Sequence, residues 1–375
     1  LTQTCDIIID AVFGIGLNRQ LSNEINQLID KINSLSGIKI AIDLPSGVET
    51  DTGAILGSVF KADFTITFIA LKPCLLLPPA SDFCGETVVA DIGVEPIDYK
   101  YLTTEKPYFP KRQHNSHKGT FGTALLICGS YGMAGAAILA AKAALRSGLG
   151  IAKCMLVEDI YPAFTSALPE AVCIPTKSDG NGHINQNSDL ITAMENTKAI
   201  LFGCGVGISS DTKILLERII ENSNVTLVID ADGINLLSQN IELLKKSKVP
   251  IILTPHPGEM ARLCNKTVKE VESNRVETAT QFAKNNNCIV VLKGANTIIA
   301  EPDGTVTFNT TGNPGMATGG SGDVLAGIIV SLLAQSQTPA NAAKYAVYIH
   351  GKAADKATEK RSEISLLPSD IIEEL

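Results

Sequence analysis

Residues Asn309 to Gly327 read NTTGNPGMATGGSGDVLAG. Six glycines surround a single acidic residue, Asp323, and the apolar run Val324-Leu325-Ala326 follows it. This pattern predicts a loop that turns into a helix. Successive backbone N–H groups at such a helix start form an anion nest with no side chain in the way. Asp323, in the first turn, is placed to act on whatever the bound anion touches. Glycine-rich stretches also make ordinary turns, but repeated glycine with a carboxylate at the helix entrance is rarer. We read it as a phosphate cradle for phosphoryl chemistry at a small-molecule hydroxyl. In open α/β sheets such ligand loops lie beyond the carboxyl ends of the strands.

The rest of the chain is consistent with that class. It has 375 residues, 45% hydrophobic and 19% charged, enough for two domains with sizeable cores. The net charge of −8 is spread along the chain and argues against a nucleic-acid partner. No 18-residue apolar run escapes a charge, which argues against a membrane span. Nine cysteines lie scattered without a CxxC pair, several inside apolar runs such as LLICG. They read as buried free thiols of a reducing cytoplasm. The chain opens at Leu1 on an apolar strand and its first methionine is Met133. The expectation is therefore that N-terminal sequence is missing, with any targeting segment.

Short apolar strands alternate with amphipathic helical segments, which predicts α/β layers with a mostly parallel sheet. In the first part, Cys5–Asp10, Ile38–Asp43 and Phe64–Ile69 read as strands, Thr87–Ala90 as an edge strand and Leu21–Ser36 as a helix. From Glu95 to Lys118 the texture turns polar, with Pro96, Pro107, Pro110 and the run KRQHNSHK. The domain boundary is expected there, giving domains of about 1–100 and 107–375. The second part reads as strands Thr123–Cys128, Ala152–Val157, Ala199–Phe202, Thr226–Ile229, Ile251–Leu253, Ile289–Leu292, Thr297–Ala300 and Val306–Phe308. The last of these form an antiparallel addition. Helices are expected near Ala134–Ser147, Asp211–Asn222, Val268–Asn285, Ser321–Ala334 and Ala340–Ala357.

Four further motifs fall at strand ends. GSYGMAGA precedes the Ala-rich helix, where small residues permit either ligand approach or tight packing. GCGVG, residues 203–207, fits ligand contact or a plain strand-to-helix turn. In TPHPGEMARL, His256 is held between Pro255 and Pro257 and reads as a substrate contact or a loop cap. Glu259 complements the helix dipole. In KGANT, Lys293 can neutralise phosphate oxygens, or can be an exposed lysine in a hairpin turn. His350 reads as a core histidine, and His114, His117 and His183 have no metal-ligand spacing. There is no Walker A, HExxH or GxSxG pattern.

GSYGMAGA, GCGVG, TPHPGEMARL, VLKGANT and NPGMATGGSGD occur in one order. Over roughly Pro107 to Leu375 the chain resembles the NAD(P)H-hydrate dehydratases, which have a ribokinase-like α/β fold. The resemblance implies the hydrates NADHX and NADPHX as substrates, with Ala134, Gly205, His256 and Asp323 as their contacts. It implies ADP or ATP, held by Lys293, Gly294, Ala295, Asn296 and Thr297 and by Asn313, Gly315, Thr318, Gly319, Gly320, Ser321 and Gly322. Asp323 would be the general base, with the Gly320–Gly322 amides stabilising the transferred phosphoryl group. Mg²⁺ is expected with the nucleotide, without assigned ligands. A fused arrangement resembles bacterial members and favours ADP.

DAVFGIGLNRQL, AIDLPSGVETDTG, FTITFIALKP and VADIGV resemble an NAD(P)H-hydrate epimerase domain, a Rossmann-like fold that is partial here. This implies Asp10 and Ser46 as potassium ligands. It also implies a substrate loop of Gly14, Ile15, Gly16, Leu17, Asn18, Arg19 and Gln20, and a substrate contact at Asp43. Gln20 departs from the family's usual proline. The family's asparagine- and glycine-rich loop should lie upstream of Leu1, so this polypeptide is expected to lack epimerase activity unless the missing piece is a separate chain. Apolar helix faces near the C-terminus allow a homo-oligomer. The alternative reading is a ribokinase-superfamily kinase of a small hydroxylated metabolite. A further one is a nucleotide-binding regulatory protein with a decayed site.

Overall fold

The structure, a computed structural model, describes residues 5–94 and 99–375. Residues 95–98, including Pro96 at the start of the expected boundary, lie outside the described residues. The chain divides into two compact units, Leu1–Lys100 with Ser273–Arg275, and Tyr101–Glu272 with Val276–Leu375.

The smaller unit is built on four parallel strands in sequential order: β1 (Ile7–Asp10), β2 (Ile38–Ile42), β3 (Phe64–Phe68) and β4 (Glu86–Ala90). Helix α1 (Asn23–Asn33) is shorter than its apolar spacing suggests, because Ser22 caps its start by accepting from the Ile25 N–H. Strand residues alternate between faces. Ile8 and Ala41 turn toward Ile25, Ile29 and Ile32 of α1 and toward Phe60. The register puts Ile7 beside Ile38, Ile40 beside Phe64 and Ile66 beside Val88 on the opposite face. Most of that second face is open, with Ile9 63% exposed and Ile7, Ile38, Phe64 and Val88 also exposed. A parallel sheet is ordinarily covered on both faces.

The larger unit contains ten strands: β5 (Leu102–Thr103), β6 (Thr123–Ile127), β7 (Ile151–Val157), β8 (Val172–Thr176), β9 (Ala199–Phe202), β10 (Thr226–Ile229), β11 (Ile251–Leu253), β12 (Ile289–Leu292), β13 (Ile298–Ala300) and β14 (Val306–Phe308). Their order is β5-β14-β13-β12-β11-β10-β9-β6-β7-β8, with β12–β13 and β13–β14 antiparallel and the other pairs parallel. The central strands are continuous apolar runs buried along their whole length, as in β9 and β12.

The helices of this unit are α2 (Ala134–Arg146), α3 (Tyr161–Ala167), α4 (Leu190–Met194), α5 (Ser210–Asn222), α6 (Asp232–Leu237), α7 (Pro257–Cys264), α8 (Val268–Ser273), α9 (Arg275–Asn286), α10 (Ser321–Ala334), α11 (Pro339–Thr358) and α12 (Pro368–Glu373). Helix α10 is buried on nearly every side and packs between α2 and α11. The expected single helix over Val268–Asn285 is two, broken at Asn274 between α8 and α9. Ser273 and Asn274 both compete with the helical backbone for hydrogen bonds. Strands β5 and β8 have no counterpart in the sequence reading. Both lie at the sheet's edges, one two residues long and the other interrupted by Pro175.

The chain runs β6-β7-β8 outward on one side, then returns to β9 on the other side of β6. The gap between the carboxyl ends of β6 and β9 is thus the topological switch point, where open α/β sheets bind ligands.

Candidate active site

At the switch point the loops after β6 and β9 are stitched together. The Gly129 N–H donates to the Cys204 carbonyl at 2.9 Å, and Ser130 Oγ to the Gly205 carbonyl at 2.8 Å. Ala134 opens helix α2 just beyond. Gly205 has φ +62°, and a methyl there would lie 2.9 Å from Ala136 Cβ and 3.0 Å from Met133 Cβ. Only glycine lets the two loops approach so closely. Gly205 therefore packs against the entrance of α2, where Ala134, the other expected substrate contact, is the first residue.

Asp323 sits half-buried in the first turn of α10, whose cap is Gly320 at φ +96°. Opposite it, at the end of β10, is Asp230, 1% exposed. Asp230 Oδ1 accepts from Thr254 Oγ1 at 2.7 Å and from Lys293 Nζ at 2.8 Å, while Oδ2 lies 3.7 Å from Cys204 Sγ. One donor atom each from Cys204, Asp230 and Asp323 falls within 4.8 Å of the others. Burial, with repulsion from Asp230, pushes the Asp323 carboxyl up to about 7, against a hydrogen bond from Cys204 and the nearby Lys293 charge.

Lys293 is not an exposed lysine of a hairpin turn. It begins the β12–β13 hairpin with only 19% of its side chain exposed, paired to Asp230 and 3.8 Å from Glu259. Burial alone would lower its proton affinity, but Asp230 and Glu259 outweigh that and hold it above the ordinary value. A methyl at Gly322 would lie 3.1 Å from Lys293 Nζ, so the ammonium stands directly against the α10 entrance. That combines a cation with the positive end of a helix.

The remaining expected contacts divide. His256 caps α7, its Nδ1 accepting from the Gly258 N–H at 3.0 Å, with Glu259 returning a bond to the His256 N–H at 2.8 Å. This leaves Nε2, 3.5 Å from Glu259 Oε1, to carry the proton of the neutral ring. Burial and then Lys293 lower the His256 pKa. The Lys293 N–H donates to the Pro255 carbonyl at 2.8 Å, which joins the histidine loop to the lysine loop. Asn313 is engaged by its own loop, accepting from the Gly315 N–H at 3.1 Å and donating to Asp355 at 3.2 Å. The Ser321 N–H donates to the Thr318 carbonyl at 3.3 Å, so that amide is engaged within its own loop. Thr297 Oγ1 donates to the Gly294 carbonyl at 3.1 Å, and the Asn309 N–H to the Thr297 carbonyl at 2.9 Å. Gly294, Ala295 and Asn296 complete this hairpin loop, and Gly319 faces open space. His350 is buried with Nε2 3.4 Å from Ser321 Oγ, and burial lowers its pKa to about 4.

Asp230 lay outside every motif, and Cys204 and Thr254 lay within GCGVG and TPHPGEMARL without being singled out. The available signal was that β10 ends in VIDADG, with an acid as the last buried residue.

The smaller unit has its own strand-end cluster. Asp10 Oδ1 accepts from Ser46 Oγ at 2.7 Å and Oδ2 from the Ser46 N–H at 2.7 Å, both residues buried. Asp43, at φ +69°, accepts from Lys72 Nζ at 2.6 Å and Thr67 Oγ1 at 3.1 Å. Lys72 also donates to the Phe68 carbonyl at 2.9 Å. A methyl at Gly14 would lie 3.7 Å from Asp43 Oδ2, which brings the start of the Gly14–Gln20 loop to that carboxylate. The rest of the loop is irregular, with Ile15 67% exposed. Thr67 and Lys72 were not singled out from sequence.

The sequence model of the NAD(P)H-hydrate dehydratase family matches residues 124–375, which carry every element of the larger site. The chain belongs to this family. Residues 1–74 match the model described as YjeF-related protein N-terminus. A bifunctional NAD(P)H-hydrate repair enzyme of Moorella thermoacetica is 34% identical, covering 98% of this chain and 72% of that protein. Its Escherichia coli namesake is 35% identical, covering 100% and 71%. Among solved structures, the ADP/ATP-dependent NAD(P)H-hydrate dehydratase of Bacillus subtilis, co-crystallised with ATP/Mg²⁺, matches with TM-score 0.63 and 35% identity. That match covers 71% of this chain and 91% of the other. A ribokinase-like superfamily protein of Enterococcus faecalis matches with TM-score 0.61 and 28% identity, covering 70% and 88%. The expected α/β, ribokinase-like architecture is borne out, and the small-metabolite kinase alternative is not favoured. Among the described residues no two cysteines are joined in a disulfide. Among the described residues no helix is long and apolar enough to cross a membrane.

Proposed function

We propose that this chain repairs hydrated nicotinamide nucleotides, dehydrating NADHX or NADPHX to the reduced cofactor at the expense of ADP, with ATP as the alternative donor. The observation that carries the reading is Asp323, a half-buried carboxyl at a helix entrance with its proton affinity raised to about 7, beside the Lys293 ammonium. Such a group is ionised enough near neutrality to act as a base and basic enough to accept a proton. Asp323 takes the proton of the hydrate's hydroxyl, whose oxygen attacks the terminal phosphorus as the bond to the leaving nucleotide breaks. The Gly320 and Gly322 amides and Lys293 stabilise the transferring charge. The ring nitrogen's electron pair then expels phosphate, and loss of a proton from the adjacent ring carbon restores the dihydropyridine. Ala134, Gly205 and His256 border the hydrate.

Magnesium is proposed as part of the nucleotide substrate. The trio Cys204, Asp230 and Asp323 does not fit it, since a thiol is a poor ligand for a hard cation and Asp230 is already held by Thr254 and Lys293. We further propose that the first hundred residues form an epimerase-type domain and residues 107–375 the dehydratase domain. In the former, Asp43 and the Gly14–Gln20 loop face substrate. Asp10 and Ser46 would hold potassium, their carboxylate and hydroxyl oxygens being the donor chemistry a hard cation takes. Potassium would supply a fixed positive charge there.

The test is recovery of NADH absorbance from NADHX with ADP, with ATP and with neither. Nucleotide-dependent recovery with stoichiometric free phosphate is expected. A stable phosphorylated product, or no recovery despite tight nucleotide binding, would overturn the reading.

A further inference from the structure

Asp230 belongs to no motif that pointed to the site, yet it is the most buried charge there, 1% exposed at the end of β10. The next residue, Ala231, has φ +48°, a conformation that non-glycine residues seldom adopt. This turn lets Asp230 face inward while Asp232 accepts from the Gly207 N–H at 2.9 Å. The inward carboxylate divides its two oxygens. Oδ1 takes Thr254 Oγ1 at 2.7 Å and Lys293 Nζ at 2.8 Å, and Oδ2 faces Cys204. A methyl at Gly322 would meet both the lysine, at 3.1 Å, and Asp230 Oδ2, at 3.8 Å. The acid, the ammonium and the helix entrance are therefore packed as one assembly.

We propose that Asp230 is a positioning residue for the phosphoryl step, holding the Lys293 ammonium against the first turn of α10 with one oxygen and facing Asp323 with the other. The inference rests on the dehydratase reading. Lysine is a flexible chain carrying a point charge, and Asp230 is what fixes that charge where a phosphate would enter. Its own negative charge opposes ionisation of Asp323. Burial raises the proton affinity of Asp323 most; of the groups that bear on it, Asp230 and Asp232 raise it further, and Cys204 and Lys293 lower it.

Replacing Asp230→Asn keeps the shape and removes the charge. In the full chain, the acid limb of kcat/KM against pH should move down by about one pH unit. The nucleotide KM should rise about tenfold as Lys293 loses its charged anchor. Lys293→Met should move the limb the opposite way, because the repulsion between the two acids is then uncompensated. A merely structural Asp230 would lower the folded fraction and leave the limb in place. A folded Asp230→Asn chain with its limb and nucleotide KM both unmoved overturns the proposal. If that variant does not fold, an unmoved or lowered limb in Lys293→Met overturns it. If the unmutated chain recovers no NADH with any nucleotide, it is the functional reading that fails. The carboxyl-carbon NMR titration of Asp323, compared between the unmutated chain and Asp230→Asn or Lys293→Met, then still decides whether Asp230 faces it as proposed.

Discussion

Both sheets end in a lysine–aspartate pair. Lys72 lies 2.6 Å from Asp43 in the smaller unit and Lys293 lies 2.8 Å from Asp230 in the larger, and each lysine side chain is 19% exposed. The distances do not distinguish them; the surroundings do. Asp43 is 18% exposed and shares its lysine with Thr67 and a backbone carbonyl at the edge of an irregular loop. Asp230 is 1% exposed, and a third group, Asp323, faces it from the start of a buried helix. Burial deprives two carboxylates of water that would screen them, so one becomes basic. The supporting sheets differ in the same sense. One is buried through its central strands, and the other leaves an apolar face open. An ion pair alone is thus a poor sign of chemistry, while an ion pair with an unshielded third acid is a better one.

The largest effect that would sharpen this contrast is at the third acid. Asp323→Asn should lower dehydratase kcat by about a thousandfold while nucleotide binding persists. Single-turnover NADH recovery and calorimetric titration with ADP measure the two. A loss below tenfold would return Asp323 to the rank of a structural residue. The equivalent change at the other pair, Asp43→Asn, should leave dehydratase turnover within about twofold, since Asp43 belongs to the other compact unit, where it is bonded to Lys72 and Thr67.

The second effect is in pH. A base with its proton affinity raised to about 7 is protonated, hence inactive, below that value. kcat/KM should therefore fall about tenfold for each unit below neutrality. A limb near the ordinary carboxylate range would mean that the two acids do not confront each other in solution.

The third is steric. Gly322→Ala puts a methyl 3.1 Å from the Lys293 ammonium, and moving that charge should raise the nucleotide KM by roughly tenfold, with little change in thermal midpoint. Steady-state kinetics against ADP concentration decides it.

The smallest concerns the open sheet face. Ile9→Lys, at a position 63% exposed, should alter unfolding free energy by less than about 0.5 kcal/mol in urea titration. A loss of more than about 2 kcal/mol would show that the face is covered in solution.

The sequence by itself determined the alternation of buried strands and helices, the α10 entrance and the strand-end loops. These are local patterns: period, turn chemistry and glycine at points of close approach. It singled out Asp323, Lys293, Gly205 and His256 as candidates because each lies in a motif with a local signature. Edge strands β5 and β8 escaped it, since a strand of two residues or one carrying a proline has too little pattern to read. Only the tertiary structure decided that Asp230, Cys204 and Thr254 belong to the site. These residues stand on neighbouring strand ends but are dispersed along the chain, and only sheet order brings them together. Tertiary structure also turned His256 and Asn313 into caps of their own loops, and paired Lys293 with Asp230. The physical reason is the same in each case. Backbone conformation follows from neighbours in sequence, whereas burial, which sets the strength of charges and the basicity of Asp323, depends on neighbours in space.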